Sequence, residues 1–242
     1  MGLTETNITE KEGRLLLYNN NTQFRGYWAN ATPDKKKGSG VGVLIDEKWE
    51  KHVGAVKRIS EYMIEVRLYF RQLELVIIGV YIPPNDKLIS KRIQQRIVEI
   101  VTNRKKHTEV IILGDFNHTV DNIPDRQHLQ TTEYKKLLVF NWLKKQNFTD
   151  LYRSLHLMEK AFTWSSHEAA TRIDYIWLSE TLASGLQEAC IEEATGLTDS
   201  DHNIITAEIW IGHAIAKHGC AEIKRKDQTR TIYLYEEAKQ ED

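Results

Sequence analysis

Cysteine is nearly absent: the 242 residues include two, Cys190 and Cys220. Neither lies at metal-ligand spacing, and two thiols cannot staple a chain of this size, so a disulfide scaffold and a cysteine-ligated zinc fold are excluded. Proline is scarce as well, with four residues. Together with 13 glycines and no biased tract, this removes the low-complexity and disordered classes. No charge of one sign dominates, because 33 Lys and Arg face 34 Asp and Glu for a net charge of -1. A polybasic tail protein is therefore excluded, and any contact with a polyanion must come from local basic patches. The longest mainly apolar run, 75–81, falls far short of the roughly 20 residues a membrane helix needs. No basic stretch followed by an apolar segment opens the chain, so the Asn-X-Ser/Thr sites at Asn7, Asn30 and Asn147 carry no weight. The expectation is an intracellular protein with free thiols and no membrane span.

What remains is a folding composition, 41% hydrophobic and 28% charged, at a length that suits one large domain. Residues 41–45 read as a strand entered from the basic loop Asp34 to Gly40. Ile64, Val66, Leu68 and Phe70 alternate with Met63, Glu65, Arg67 and Tyr69, the period of a half-buried strand. Arg71-Gln72 then turns the chain into a second strand over 73–82, an antiparallel hairpin. Ile89, Ile93, Ile97, Ile100 and Val101 recur at helical spacing, which predicts an amphipathic helix over 88–103. Residues 110–113 form a short buried strand, and Tyr134, Leu137, Leu138 and Trp142 mark a helix up to about 146. Strands follow over 172–178 and 203–211. Such mixed order suits sheets packed on one another with helices over their outer faces. Beyond 212 the periodicity fades, so 213–242 reads as a linker-like extension.

Polar and acidic side chains lie directly beside the apolar strands, where an unpaired carboxylate is costly to bury. Gly114-Asp115-Phe116-Asn117 follows Val110–Leu113, delivering a carboxylate and an amide at a strand end. Asp174 alternates onto the face of Ile176 and Leu178, so an interior carboxylate is expected. Ser200-Asp201-His202 sets a carboxylate and an imidazole at a strand mouth, and Tyr81 closes the strand before Pro83-Pro84. Each has a plain structural reading: Glu5 as a solvated residue, Asp115 as a turn residue, His202 as a satisfied histidine, Tyr81 and Trp164 as core.

Taken in order, Gly-Asp-Phe-Asn at 114–117, Phe162-Thr163-Trp164, Arg172-Ile173-Asp174-Tyr175 and Ser200-Asp201-His202 resemble the DNase I-like endonuclease/exonuclease/phosphatase superfamily. The retrotransposon-type branch, similar to apurinic/apyrimidinic endonucleases, is the nearest in pattern. The resemblance implies an α/β (α+β) fold, a four-layer sandwich of two packed mixed β-sheets flanked by helices, over 1–212. It also implies that Gly2–Asn7 corresponds to the family's second strand, that an upstream strand with an active-site Asn and a helix are missing, and that the chain starts inside the domain. The segment from Thr231-Ile232-Tyr233 resembles the connector to a reverse-transcriptase region.

The chemistry implied is metal-assisted hydrolysis of phosphate esters. Glu5 would bind Mg²⁺ or Mn²⁺, with Asp201 a second carboxylate near it. Asp115 would orient or deprotonate the attacking water, and Asn117 would hold water or phosphate. His202 would contact phosphate with Asp174 fixing its ring, Tyr81 would donate to a phosphate oxygen, and Arg172, Trp164 and Asn85 would touch substrate. The expected partner is DNA, with RNA as a second possibility; no protein partner is readable. The alternatives are a phosphomonoesterase or lipid phosphodiesterase of the same fold, or a non-catalytic nuclease remnant.

Overall fold

A computed structural model describes residues 1–31, 38–121, 123–127, 137–194 and 200–219. The chain enters through a two-residue strand β1 (Gly2–Leu3) and forms helix α1 (Glu10–Asn19). Thr9 starts that helix with a capping box: its hydroxyl accepts from the Glu12 N–H, and its own N–H donates to the Glu12 carboxylate. Strands β2 (Phe24–Ala29) and β3 (Val41–Asp46) follow, then a short helix α2 (Glu47–Glu50). β1, β3 and β2 make an antiparallel sheet in that order.

The second sheet is larger. β4 (Val53–Ser60), β5 (Met63–Phe70) and β6 (Leu73–Tyr81) form a meander, and helix α3 (Lys87–Thr102) carries the chain over to β7 (Thr108–Asp115). That crossover lets β7 pair parallel to β6, which a tight turn could not do. Short strand β8 (Arg126–Gln127), helix α4 (Leu138–Lys145), strand β9 (Thr149–Asp150) and helix α5 (Leu151–Leu155) come next. They lead to β10 (Trp164–Ser165), β11 (Ala170–Thr171) and β12 (Asp174–Leu178). The six-stranded sheet runs β4-β5-β6-β7-β12-β9, while β10, β11 and β8 pair separately. Helix α6 (Glu180–Ala183), the hairpin β13 (Leu186–Glu192) and β14 (Ile204–Ile209), and helix α7 (Gly212–Gly219) complete the described chain.

The layers are those expected: helix, sheet, sheet, helix. Gly13 of α1 packs on Trp28 of the small sheet, and Val41 and Val43 of that sheet meet Gly79 of the large one. On the far face Ile93 and Ile97 of α3 are buried, and Phe140 of α4 stacks on Trp177 with centroids 5.7 Å apart. Among the described residues, mixed pairing is confined to the large sheet.

The hairpin at Arg71 and the helix of α3 lie where the pattern puts them; Arg71 takes a positive φ of 49° to make the turn. β5, by contrast, is not half-buried, since one face meets the small sheet and even Glu65 is fully enclosed, paired with Arg67 and Lys57. The strand expected at 110–113 is longer at both ends, and that expected at 172–178 begins at Asp174. Residues 213–219 are not linker-like. They form α7, with Ala214 buried and His218 Nε2 donating to Glu109 Oε1 at 2.7 Å. The same Glu109 accepts from the Ser179 hydroxyl, and His107 Nδ1 lies 2.8 Å from His218 Nδ1. Polar contacts thus dock this helix alongside Ala214 and Ile215, which is why periodicity missed it. Lys35–Lys37, Tyr134, Cys220 and the segment at 231–233 lie outside the described residues.

One glycine decides how β6 and β7 meet. Gly114 has φ +138°, and a Cβ there would sit 1.9 Å from the Val80 carbonyl oxygen. Gly114→Ala should therefore destabilise the protein by about 1–3 kcal/mol, read as a lower urea midpoint; an unchanged midpoint would show that the strand ends separate freely.

Candidate active site

Three side chains are delivered by one row of the large sheet. β6 ends at Tyr81, β7 ends at Asp115 and β12 begins at Asp174; Tyr81 pairs in register with Asp115, and Asp115 with Asp174. Like charges directly opposite each other destabilise a sheet, so this pairing needs compensation. Part of it is local. The chain turns at Asn117, which takes φ 52°, a conformation asparagine tolerates. Its N–H donates to Asp115 Oδ1 at 2.7 Å, and its Nδ2 donates to Asp115 Oδ2 at 3.0 Å and to the Ile82 carbonyl at 3.1 Å. The amide nitrogen expected to hold phosphate is thus committed to orienting Asp115.

The rest comes from His202. Its Nδ1 lies 2.9 Å from Asp174 Oδ2. The segment carrying it is pinned: the Asn203 N–H donates to the Thr163 carbonyl at 2.7 Å, and Asn203 Nδ2 to the Phe162 carbonyl at 3.0 Å. Donor atoms of Asp115, Asp174 and His202 all lie within 4.8 Å of one another. Asp115 is 2% exposed. Burial, then the charge of Asp174, hold its carboxyl well above the ordinary range, against the opposing pull of His202 and the Asn117 N–H. Burial pulls the His202 imidazole down, but the hydrogen bond to Asp174 and that carboxylate's charge, helped by Asp115 and Asp201, raise it to about 9.

The sign of the resulting pH dependence follows from linkage. A histidine raised from 6.5 to about 9 binds more protons folded than unfolded. Its stabilisation is complete below about pH 6.5 and is lost as the pH climbs through about 9. Thermal melts of the parent and of His202→Gln should therefore converge between pH 6 and 10; parallel curves would mean that the Asp174 contact contributes nothing.

Glu5 reaches the same place from the other sheet. It is not in a strand: β1 stops at Leu3, and Glu5 has φ 51°. The Thr6 and Asn7 N–H groups donate to the Gly40 and Ser39 carbonyls, laying this segment beside residues 38–40. The Tyr81 hydroxyl hydrogen-bonds to Glu5; burial first, then this bond and the charges of Glu5 and Asp115, hold the phenol well above its usual pKa. An uncommon left-handed glutamate at a cluster of acidic groups fits a functional constraint.

Other expected site residues lie elsewhere or are occupied. Arg172 is fully buried, its guanidinium bonded to both carboxylate oxygens of Asp125 and of Asp150 at 2.7–3.2 Å. It cannot touch substrate and is a structural cation. Asp201 is exposed and falls outside the tight cluster; its Oδ2 accepts from the Trp164 indole N–H at 2.8 Å. Trp164 is thereby tied to the His202 segment, to which it also bridges through the backbone. Asn85 is exposed in the turn before α3. The residues that sequence reasoning missed are the supports: Asp125, Asp150 and Thr163. Little in the sequence marks Asp150, since Asn147, Thr149 and Arg153 around it are polar as well.

The carboxylates of Asp115 and Asp174, with Glu5 outside the tight group but bonded to Tyr81 beside it, suit a hard divalent cation. The raised Asp115 carboxyl supports that fit, because a cation would offset the burial and the Asp174 charge that raise it.

Comparison with solved structures finds this fold repeatedly. A 3′ phosphatase from Neisseria bound to a product DNA hairpin is similar with TM-score 0.64, at 17% identity over 86% of this chain and 88% of that one. An AP endonuclease from Leishmania major gives TM-score 0.67, at 14% identity over 85% of this chain and 76% of that one. The endonuclease domain of TRAS1, a telomere-specific non-LTR retrotransposon, gives 0.56, at 14% identity over 85% and 94%. No curated protein matches the sequence. The profile of the Endonuclease/Exonuclease/phosphatase family matches residues 1–202, the span that holds every member of the cluster from Glu5 to His202, and the chain belongs to that family.

Proposed function

We propose that this chain is a divalent-metal-dependent phosphodiesterase, a DNA endonuclease of retroelement type. The observation that carries the reading is the row Tyr81, Asp115, Asp174 closed by His202, with Glu5 against Tyr81. At neutral pH the raised imidazole is a cation, and its Nε2, opposite the nitrogen held by Asp174, suits a phosphate oxygen. Tyr81 keeps its proton, which it donates to Glu5 here; with Glu5 turned to the ion, that proton would be free to serve a second phosphate oxygen. Asp115, aimed by Asn117, would orient the attacking water and take its proton. Glu5 and Asp115 would hold the ion, Mg²⁺ or Mn²⁺, which when bound supplies charge neutralisation on the phosphoryl group.

DNA as substrate is supported by two similar folds, one a phosphatase bound to a DNA hairpin and the other an AP endonuclease. An endonuclease of retroelement type is supported by the ordered motifs and by the TRAS1 domain. No helix among the described residues is long and apolar enough to cross a membrane. A DNA substrate, in turn, would place the chain inside the cell. The test is nicking of supercoiled plasmid and of duplexes with an abasic site, with Mg²⁺ or Mn²⁺ and with EDTA. Metal-dependent strand breaks are expected. Phosphate release from monoesters or inositol phosphates without strand cutting would overturn the nuclease reading. No product from any substrate, with no Mg²⁺-dependent shift in melting, would leave a non-catalytic remnant.

A further inference from the structure

Thr163 is fully buried beside the cluster. Its hydroxyl oxygen accepts two consecutive backbone N–H groups, those of Ile173 and Asp174, each at 3.0 Å. Its own N–H donates to the Thr171 carbonyl at 3.1 Å, and its carbonyl accepts the Asn203 N–H at 2.7 Å. One residue therefore grips the backbone on both sides of the Asp174–His202 pair: directly at Asp174, and one residue past His202. The two bonds to the hydroxyl are side-chain contacts outside any ladder, whereas the Asn203 bond belongs to the isolated bridge between Trp164 and His202.

We propose that Thr163 is a positioning residue whose side-chain oxygen sets the Asp174 carboxylate against the His202 ring. The inference rests on the nuclease reading for its effect on rate, but not for its effect on the hydrogen bond. A hydroxyl oxygen has two acceptor sites, and both are used on adjacent N–H groups. Removing that oxygen leaves two enclosed donors unpaired. The strand start then shifts to find partners, carrying Asp174 with it, and Asp174 is the group that holds the imidazole. Thr163→Val keeps the shape and deletes the oxygen, Thr163→Ser keeps the oxygen and deletes the methyl, and Thr163→Ala deletes both.

Thr163→Val and Thr163→Ala are expected to lower kcat by about 10–100-fold, the usual cost of losing a group that orients a reacting one, with KM little changed. Thr163→Ser should keep both constants close to those of the parent. The readout independent of activity is the far-downfield proton resonance of His202 Nδ1–H bonded to Asp174, recorded on the full chain. It should be present in the parent and Thr163→Ser and lost or shifted in Thr163→Val and Thr163→Ala. If the protein proves to cut nothing, that resonance still tests the positioning role. The proposal is overturned if the resonance survives in Thr163→Val or Thr163→Ala, or disappears in Thr163→Ser. It is equally overturned if both oxygen-free variants fail to fold while Thr163→Ser is native, which would make the residue purely structural.

Discussion

Asp115→Asn is expected to lower kcat by about 10²–10⁴-fold, the range lost with a proton-transferring side chain, while the fold survives. The substitution keeps the shape and leaves an oxygen to accept from the Asn117 N–H, so the turn at 116–117 holds. What disappears is the charge, and in this buried place that charge is opposed by desolvation and by Asp174 across the strand pair. Neutralising it relieves a repulsion, at the cost of the bond from Asn117 Nδ2, about 1 kcal/mol. Melting should thus be close to that of the parent in the absence of metal. With Mg²⁺ at a hundredfold excess over its Kd, the parent should gain about 2.7 kcal/mol by mass action, and the variant far less. Full activity in Asp115→Asn would return this residue to the role of a turn former.

Arg172→Met should have the largest effect on stability. Arg172 lies with its ring-like charge over Tyr175, 4.4 Å from the centroid, and pairs with Asp125 and Asp150, all three being buried. Burial works against the cation, but Asp150 above all raises its pKa, so the charge is kept. Breaking a buried pair by deleting one member typically costs about 3–5 kcal/mol, because the partner charge stays enclosed. Here two carboxylates lose a partner, although Arg153 still reaches Asp125 at 2.6 Å. Arg172→Lys should recover only part of the loss, since an ammonium cannot span both carboxylates in one plane. Urea or thermal melts measure this. An Arg172→Met protein that melts like the parent but fails to bind DNA would restore the substrate role expected from sequence.

Those two residues also mark what was legible in the sequence. Asp115 and Asp174 stood out because burying a carboxylate beside Val110–Leu113 or within Asp174–Leu178 is costly enough to require a reason, and His202 joined them through the ordered motifs that resemble the family's. The alternation of β5 and the helical spacing of α3 were readable because each is a local period. Arg172 was misassigned because its partners, Asp125 and Asp150, lie 47 and 22 positions away. A cation facing substrate and a cation neutralising a buried pair look alike until those distances are known. Burial of both faces of β5 was equally invisible, being fixed by a sheet from an earlier part of the chain. Helix α7 was read as a linker because it docks through His218 and Glu109 as well as through apolar residues, and hydropathy does not register such contacts.

The sheet row has a consequence for how the molecule is made. Tyr81, Asp115 and Asp174 emerge from a ribosome well before His202, and Glu5 emerges first of all. Until residues 200–203 arrive and dock on Thr163, two carboxylates face each other without the cation that balances them. Pairing of Asp115 with Asp174 is therefore unfavourable until nearly every strand is in place. Contacts so distant in sequence form late and slowly, so hydrolytic capacity appears with the completed fold rather than before it.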